Sequence, residues 1–517
     1  MWQGPVEKMT VTPLYLAIDF GSQSVRAVIF DNNGNVVLKH QRYPLKYLHP
    51  EQGFVEQQPV WFYQQVAICC QNLQLLALAQ NLDLSELRTL GITTMRNTLF
   101  NLDANGQALR NAIVWLDQRK ASNTPTLHWG WRLLFSVANV LKPVLATINT
   151  LQGEAFINYI AQHDQHNWQK TEHLLLLSGY ITFRLTNHYV DSSANIISHL
   201  PFDFKTQQWH KPTSWQFQAL AVKTSWLPKL LKVGERLGQL TASAQQELHI
   251  AKPLPVIAMA SDKACEVLGA GCYRAGQLHI SLGTAISVTL LNDKFIGPKA
   301  FYPAYPSLVP GLYLTEVMLP HGLNVLSEFI QRHATELQFL TDTFTYTKGQ
   351  STSIEHLIEL YLAANNVTAR DLVFELSKFD QVTNYQQGFV NLTSHSIFEQ
   401  YVAIQESVVN SINTALKQLL KRVQCSVNKL VITGGGANSR RLLQAISEKT
   451  QRTVDKPEVT EAGTLGVAII LAMQDKQYSS IAEAVNSMCA ETTVYTPVTI
   501  STLTRSTGKN DTNSEQK

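Results

Sequence analysis

The stretch IDFGSQSVRAVIFD, residues 18 to 31, ends an apolar run on Asp19 and Phe20, crosses Gly21, Ser22, Gln23 and Ser24, and resumes through Arg26 into a second apolar run. A tight turn of this composition between two strands exposes successive backbone N–H groups, and its hydroxyls add donors, so its concavity suits a phosphate group. A later stretch, ISLGTAISVTLLND at 280 to 293, repeats it at a constant offset: Ile18 matches Ile280, Gly21 matches Gly283, Asp31 matches Asp293, and Ser22 faces Thr284. Two such turns can grip one polyphosphate from both sides, and Asp19 adds an oxygen ligand for a metal ion. Taken alone, either turn is also an ordinary hairpin.

Two further stretches carry chemistry. KLVITGGGANSRRLLQAI, residues 429 to 446, reads as a buried strand that ends in Gly434, Gly435 and Gly436 before a helix started by Asn438 or Ser439. Three glycines remove side chains where backbone must approach something flat or charged. The spacing is neither GxGxxG nor GxxxxGK[ST], so dinucleotide and P-loop readings fail. MASDKACEVLGAG, residues 259 to 271, delivers Asp262 from an apolar strand to a helix start just before the second turn. A carboxylate there is either a helix N-cap or an acid–base group.

The elements that must hold these residues are short. LYLAIDFGS, SVRAVIFD and NVVLKHQRYPL, separated by Gly21 and by the Asn33-Gly34 turn signal, describe an antiparallel meander. A helix is expected from about Pro59 to Asn81, then a buried strand LRTLGITTM, strands around the Asn-Gly turn of NTLFNLDANGQAL, and a mostly helical region from Trp115 to Thr186. Helix and strand alternate, so the class is α/β. The repeated turn points to a duplicated domain with its boundary near residues 270 to 277.

Bulk properties narrow the function. The 517 residues exceed one ordinary core, and 45% hydrophobic against 16% charged residues describes a packed globular chain, so two large domains are expected. A net charge of +3 without blocks of like sign argues against a nucleic-acid partner. Six cysteines without a CxxC pair read as reduced thiols, and the N-terminal stretch lacks the pattern of a signal peptide, so a cytoplasmic location is expected. The most apolar long segment, residues 129 to 151, is interrupted by Arg132, Lys142 and Pro143, which suits an amphipathic or buried helix pair, or a contact with an oligomer or membrane surface, better than a bilayer span. The polar stretch from Thr499 reads as a disordered tail.

In this order the four stretches, with GITTMRNTLFNLDANGQALRNAIVWLDQR and EAGTLGVAIILA, resemble the FGGY family of carbohydrate kinases over about residues 14 to 475. The resemblance implies an actin-like ATPase (ribonuclease H-like) fold of two duplicated lobes with an interlobe cleft, residues 14–272 and 273–490, followed by the 499–517 tail. It implies ATP and Mg²⁺ as cofactors and a small sugar or polyol, most readily a ketopentose, as acceptor. Asp262 would be the general base and Asp19 the Mg²⁺ ligand. Gly21, Ser22, Gln23, Ser24, Arg26, Gly283 and Thr284 would contact phosphates, and Gly434, Gly435, Gly436, Asn438 and Ser439 the adenosine side. Arg96, Asn97, Trp115, Asp117 and Lys263 would join Asp262 around the acceptor. Arg119 reads instead as a salt-bridge partner.

Three departures from the family pattern matter. Ala260 and Ser261 replace glycines ahead of the catalytic acid, and Lys263 replaces Gln or Asn, where it could pair with a phosphate or with Asp262 and weaken the base. Asn97 stands where an acid is expected for glycerol, and the GERxP stretch common in the family is missing. The alternatives are an actin-like ATPase switch acting on a protein partner, a glycerol kinase-like polyol kinase, and a relative that has lost activity. Self-association as a homodimer is left open.

Overall fold

The computed structural model describes residues 12–43, 45–122, 124–137, 142–348, 353–379, 385–392, 394–459, 461–489 and 491–497. The tail expected from Thr499 lies outside the described residues. Contacts divide the chain into two units. One is Met1–Ala275 with Leu291–Thr315 and Val459–Ala490, and the other is Gly276–Leu290 with Glu316–Glu458 and Glu491–Lys517.

In the first unit the opening apolar runs become strands β1 (Leu14–Phe20), β2 (Val25–Asp31) and β3 (Val36–Arg42), paired as an antiparallel meander. Gly34 takes φ +82° in the second turn, where Asp31 Oδ1 accepts from the N–H groups of Asn33 and Asn35 at 2.8 and 2.9 Å. β4 (Leu87–Thr94) runs parallel to β1, and β5 (Arg236–Gln239) and β6 (Pro255–Ile257) complete the order β5-β6-β4-β1-β2-β3.

Every residue of β1 is buried, so both faces of the strand must be covered. Strand alternation sends Leu14, Leu16, Ile18 and Phe20 into a core with Phe62, Val66 and Leu73 of the helix Pro59–Ala79. Each such burial contributes about 1.5–3 kcal/mol. Tyr15, Ala17 and Asp19 face the other way, toward the helix Ala462–Gln474, and Tyr15 donates to Asp475 Oδ2 at 2.9 Å. That helix is apolar and buried all round, from Ala462 to Ala472. It crosses the helix Asp262–Gly269 so closely that a Cβ at Gly269 would strike the Ala462 carbonyl, and one at Gly466 the Cys265 carbonyl.

The region from Trp115 to Thr186 is mainly helical, as expected. Its apolar segment forms the helices Trp129–Val137 and Lys142–Glu154, with Phe135 and Ile148 in a core and Trp129, Leu133 and Leu134 exposed. Among the described residues no helix is long and apolar enough to cross a membrane.

The second unit builds its sheet from β7 (Leu278–Leu282), β8 (Ile286–Asn292), β9 (Tyr313–Leu319), β10 (Lys429–Thr433), β11 (Thr453–Pro457) and β12 (Thr492–Tyr495), in the order β9-β8-β7-β10-β11-β12. β7 is antiparallel to β8 and parallel to β10, as β1 is to β2 and β4. The fold is thus α/β with a duplicated strand pattern. The duplication is not in constant register. Phe20 pairs with Val25 across Gly21–Ser24, whereas Leu282 pairs with Ile286 across the shorter Gly283–Ala285. Ile18 therefore lies opposite Ala27 and Ile280 opposite Val288, which makes Asn292 the counterpart of Asp31. The match of Asp31 with Asp293 is corrected accordingly.

Candidate functional site

The first turn is held from behind, through its carbonyl oxygens. Gly21 N–H donates to Ser24 O at 2.9 Å, Leu45 N–H to Gln23 O at 2.9 Å, and Tyr47 OH to Ser22 O at 2.9 Å. The N–H groups of Ser22, Gln23 and Ser24 meet no acceptor among the described residues. Trp115 Nε1 donates to Ser22 Oγ at 2.8 Å, so the Ser22 hydroxyl keeps its own proton to give. In the second turn the N–H groups of Gly283 and Thr284 are likewise without a described acceptor. Neither Gly21 nor Gly283 has a positive φ, so the turn itself does not demand glycine there. What glycine contributes is open space on the donor side.

Asp19 is buried at the end of β1, beside the first turn of the helix Ala462–Gln474: its Oδ2 lies 3.5 Å from where a side chain on Gly463 would begin. Across the hairpin, Arg26 Nη1 stands 3.7 Å from Asp19 Oδ2 and 3.5 Å from Glu461 Oε2, and Lys39 pairs with Glu461. Burial pushes the Asp19 pKa up to about 7, with Arg26 opposing and the carboxylates of Asp262, Glu461 and Glu266 reinforcing the rise. Its Oδ1 is buried with no hydrogen-bond partner. Among the described residues no three His, Cys, Asp or Glu converge as a metal cage. Mg²⁺ is commonly held by one or two carboxylates together with phosphate oxygens and water, and an unpartnered, buried carboxylate oxygen fits that demand.

Asp262 is the first residue of the helix Asp262–Gly269, and Ser261 takes the N-cap position. The Asp262 carboxylate therefore does not act as the cap, and its Oδ1 accepts from the Lys263 N–H at 2.8 Å. Arg96 Nε approaches the same oxygen at 3.7 Å, and the guanidinium lies 5.0 Å from the ring centre of Tyr305. Lys263 Nζ pairs with Glu266 Oε2 at 2.9 Å, along its own helix. Asn97 adopts φ 50°, and its Oδ1 accepts from Ser198 Oγ at 2.6 Å, leaving its amide N–H groups as the donors.

Asp117 has a different place. It is fully buried, accepts from Val55 N–H at 2.6 Å and forms an ion pair with Arg119 at 2.6 Å. Arg119 also reaches Glu56 at 2.9 Å and lies over the Phe54 ring at 4.1 Å. The Asp117 carboxylate is thus spent on holding the loop that carries Trp115, and Arg119 is the salt-bridge partner its position suggested.

Within the second unit a cavity of about 940 Å³ brings together Gly283, Thr284, Gly435, Gly436, Asn438 and Ser439. Gly434 lies at φ +91°, and a Cβ there would strike the Leu282 backbone, so only glycine serves. At Gly435 a Cβ would meet nothing within 4 Å, which leaves bare backbone facing open space. Ser439 caps the helix Arg440–Thr450 by accepting from Leu442 N–H at 3.1 Å, and it donates to Glu359 Oε1 at 3.0 Å. Its hydroxyl is already engaged on both counts.

Tyr305, Glu461 and Glu359 were absent from the sequence reading. An acid directly ahead of the apolar EAGTLGVAIILA run was a usable signal for Glu461, whereas nothing local marks Tyr305 or Glu359.

Comparison with known proteins agrees with this arrangement. Sequence models of the FGGY family of carbohydrate kinases match the chain twice, the N-terminal domain over residues 14–269 and the C-terminal domain over 278–474. A xylulose kinase of Staphylococcus epidermidis is 23% identical over 94% of this chain and 93% of its own length. Among solved structures, a gluconate kinase from Lactobacillus acidophilus superposes with a TM-score of 0.73 at 18% identity, covering 94% of each chain. A ligand-bound xylulose kinase from the same organism gives 0.73 at 17% identity, again over 94% of each chain. At that identity the structural likeness speaks for the fold.

Proposed function

The chain belongs to the FGGY family of carbohydrate kinases, which phosphorylate a sugar or polyol with ATP as donor, and from that premise we propose that it acts on a ketopentose or related sugar with Asp262 as general base. The observation that carries this reading is the Asp262–Arg96 pair, an acceptor and a multiple donor 3.7 Å apart at a helix start. A polyhydroxylated substrate offers both the proton that Asp262 can take and the oxygens that Arg96 can bind. With Lys263 paired to Glu266, the ammonium beside the base has an anion of its own. Asn97, a neutral group where glycerol would call for an acid, and the xylulose kinase relatives favour a sugar over glycerol.

Phosphoryl transfer asks the protein chiefly for alignment and charge balance. Asp262 would take the hydroxyl proton as the substrate oxygen attacks the γ-phosphorus. The free N–H groups of the Gly21–Ser24 and Gly283–Thr284 turns and the Ser22 hydroxyl would donate to phosphate oxygens, with Arg26 adding charge. Asp19 would hold Mg²⁺, which when bound neutralises phosphate charge. The bare backbone at Gly435 and Gly436 would lie against the adenine. Arg96, Asn97 and the Trp115 face would orient the acceptor, while Asp117 would position Trp115. Six unpaired cysteines fit a reducing compartment.

The test is ADP release with product identification over a panel of ketopentoses, pentitols, hexoses, aldonic acids and glycerol. A ketopentose phosphate as the best product is expected. ADP release that ignores every sugar and yields no phosphorylated product would overturn the reading and favour a conformational ATPase.

A further inference from the structure

The helix Ile354–Ala364 belongs to none of the motifs above, yet it places Glu359 in the wall of the second-unit cavity, together with Gly435 and Gly436. Glu359 Oε1 accepts twice, from Gln405 Nε2 at 2.7 Å and from Ser439 Oγ at 3.0 Å. Gln405 is only 4% exposed on the helix Ile397–Val423, and Ser439 is fixed by capping its own helix. Three separate elements thus set the orientation of this carboxylate. Its other oxygen, Oε2, accepts from no described residue.

An ionised carboxylate can only accept hydrogen bonds, so the unused oxygen in the cavity wall calls for a donor on the ligand. Phosphate oxygens do not supply one, and Glu355 on the same helix adds further repulsion toward them. The phosphates are then expected at the Gly283–Thr284 end of the cavity, with the nucleoside beside Glu359. The flat base suits the bare backbone at Gly435 and Gly436, and the ribose attached to it falls beside the Ser439–Glu359 pair. Resting on the reading that this cavity holds ATP, we propose that Glu359 accepts a hydrogen bond from the ribose 2′-hydroxyl and selects ribonucleotides over 2′-deoxyribonucleotides. A hydrogen bond to a charged group corresponds to a discrimination of about tenfold or more.

Calorimetric titration of the full chain with ATP, 2′-deoxy-ATP and inosine triphosphate tests this, with Glu359→Ala and Gly435→Val alongside. Wild type should bind ATP about tenfold or more tightly than 2′-deoxy-ATP, and Glu359→Ala should bind the two alike. The wild-type comparison requires no variant to fold, and equal binding of the two nucleotides overturns the proposal. A preference for ATP over inosine triphosphate that Glu359→Ala erases, with 2′-deoxy-ATP fully tolerated, would move the contact to the base and also overturn it. If Gly435→Val binds ATP like wild type, the nucleotide reading of the cavity itself falls. If Gly435→Val is impaired while wild type ignores the 2′-hydroxyl, only the role of Glu359 falls.

Discussion

Strands β4 and β10 occupy the same place in their two units, each parallel to the first strand of a hairpin, with Ile92 beside Ile18 and Ile432 beside Ile280. The next residue is threonine in both, and both hydroxyls are bonded inside their own unit. Thr93 Oγ1 donates to Ala260 O at 2.8 Å, and Thr433 Oγ1 meets His279 Nε2 at 2.7 Å. Beyond this point the copies diverge. One continues Thr94-Met95-Arg96-Asn97 and ends in donor side chains, while the other continues Gly434-Gly435-Gly436 and ends in bare backbone. A sugar with hydroxyls in several directions is read by side chains that reach, whereas a flat nucleoside is read by a surface that stays out of the way. One duplicated scaffold serves both needs by changing three residues past a strand end.

The sharpest way to break this comparison is Asp262→Ala. Removing a positioned base should lower turnover by a factor on the order of 10² or more and leave ATP affinity close to wild type, measured by steady-state kinetics and by ATP titration. Near-native sugar phosphorylation in this variant would take Asp262 out of the role. Next in size is Arg96→Gln, which deletes a side chain where side chains are expected to do the reading. Charge-assisted bonds are worth about 1.5–3 kcal/mol, so the acceptor KM should rise by roughly 10- to 100-fold with the ATP KM unchanged.

The mirror experiment adds a side chain where none is wanted. Gly435→Val meets open space rather than protein, so the fold should survive, while ATP affinity should drop about tenfold or more and acceptor binding should persist. Loss of acceptor affinity alone would reverse the assignment of the two strand ends.

The smallest effect concerns stability at a distance from both ends. Burial raises the Asp191 carboxyl to about 7, although the Ser178 hydroxyl and the N–H groups of Ser192 and Gly179 pull the other way. A carboxyl whose folded pKa lies above its ordinary 3.8 contributes stability that is fully present below that ordinary value and is lost as pH rises through about 7. Thermal melts from pH 5 to 8 should therefore fall more steeply in wild type than in Asp191→Asn. Equal slopes would show that Asp191 ionises without cost in the fold.

Much of the fold was legible because its signals are local. The meander follows from apolar runs broken by Gly21 and by Asn33-Gly34, and the helix expected over Pro59 to Asn81 forms as Pro59–Ala79. The exact register of the second hairpin was not legible, since a loop one residue shorter leaves no mark in an ungapped match and shifts every later residue of that strand. The role of Asp117 was also misread as direct substrate contact. Its type and place in the Trp-x-Asp-x-Arg run suggested an acceptor ligand, but only packing shows both of its oxygens turned toward Val55 and Arg119.

By itself the chain's order of residues determined which groups are capable of chemistry: a carboxylate at the end of β1, two donor turns, a glycine run, and an acid at a helix start. These depend on neighbours along the backbone, where strand alternation and turn preference act. The tertiary structure alone decided which oxygens and protons are left over after packing. Lys39, Arg26 and Glu461 meet beside Asp19, Tyr305 lies against Arg96, and Gln405 with Ser439 claims one oxygen of Glu359, although these residues are far apart in the chain. Hydrogen-bond capacity is a sum over everything that touches a group, so it exists only once the remote segments have come together.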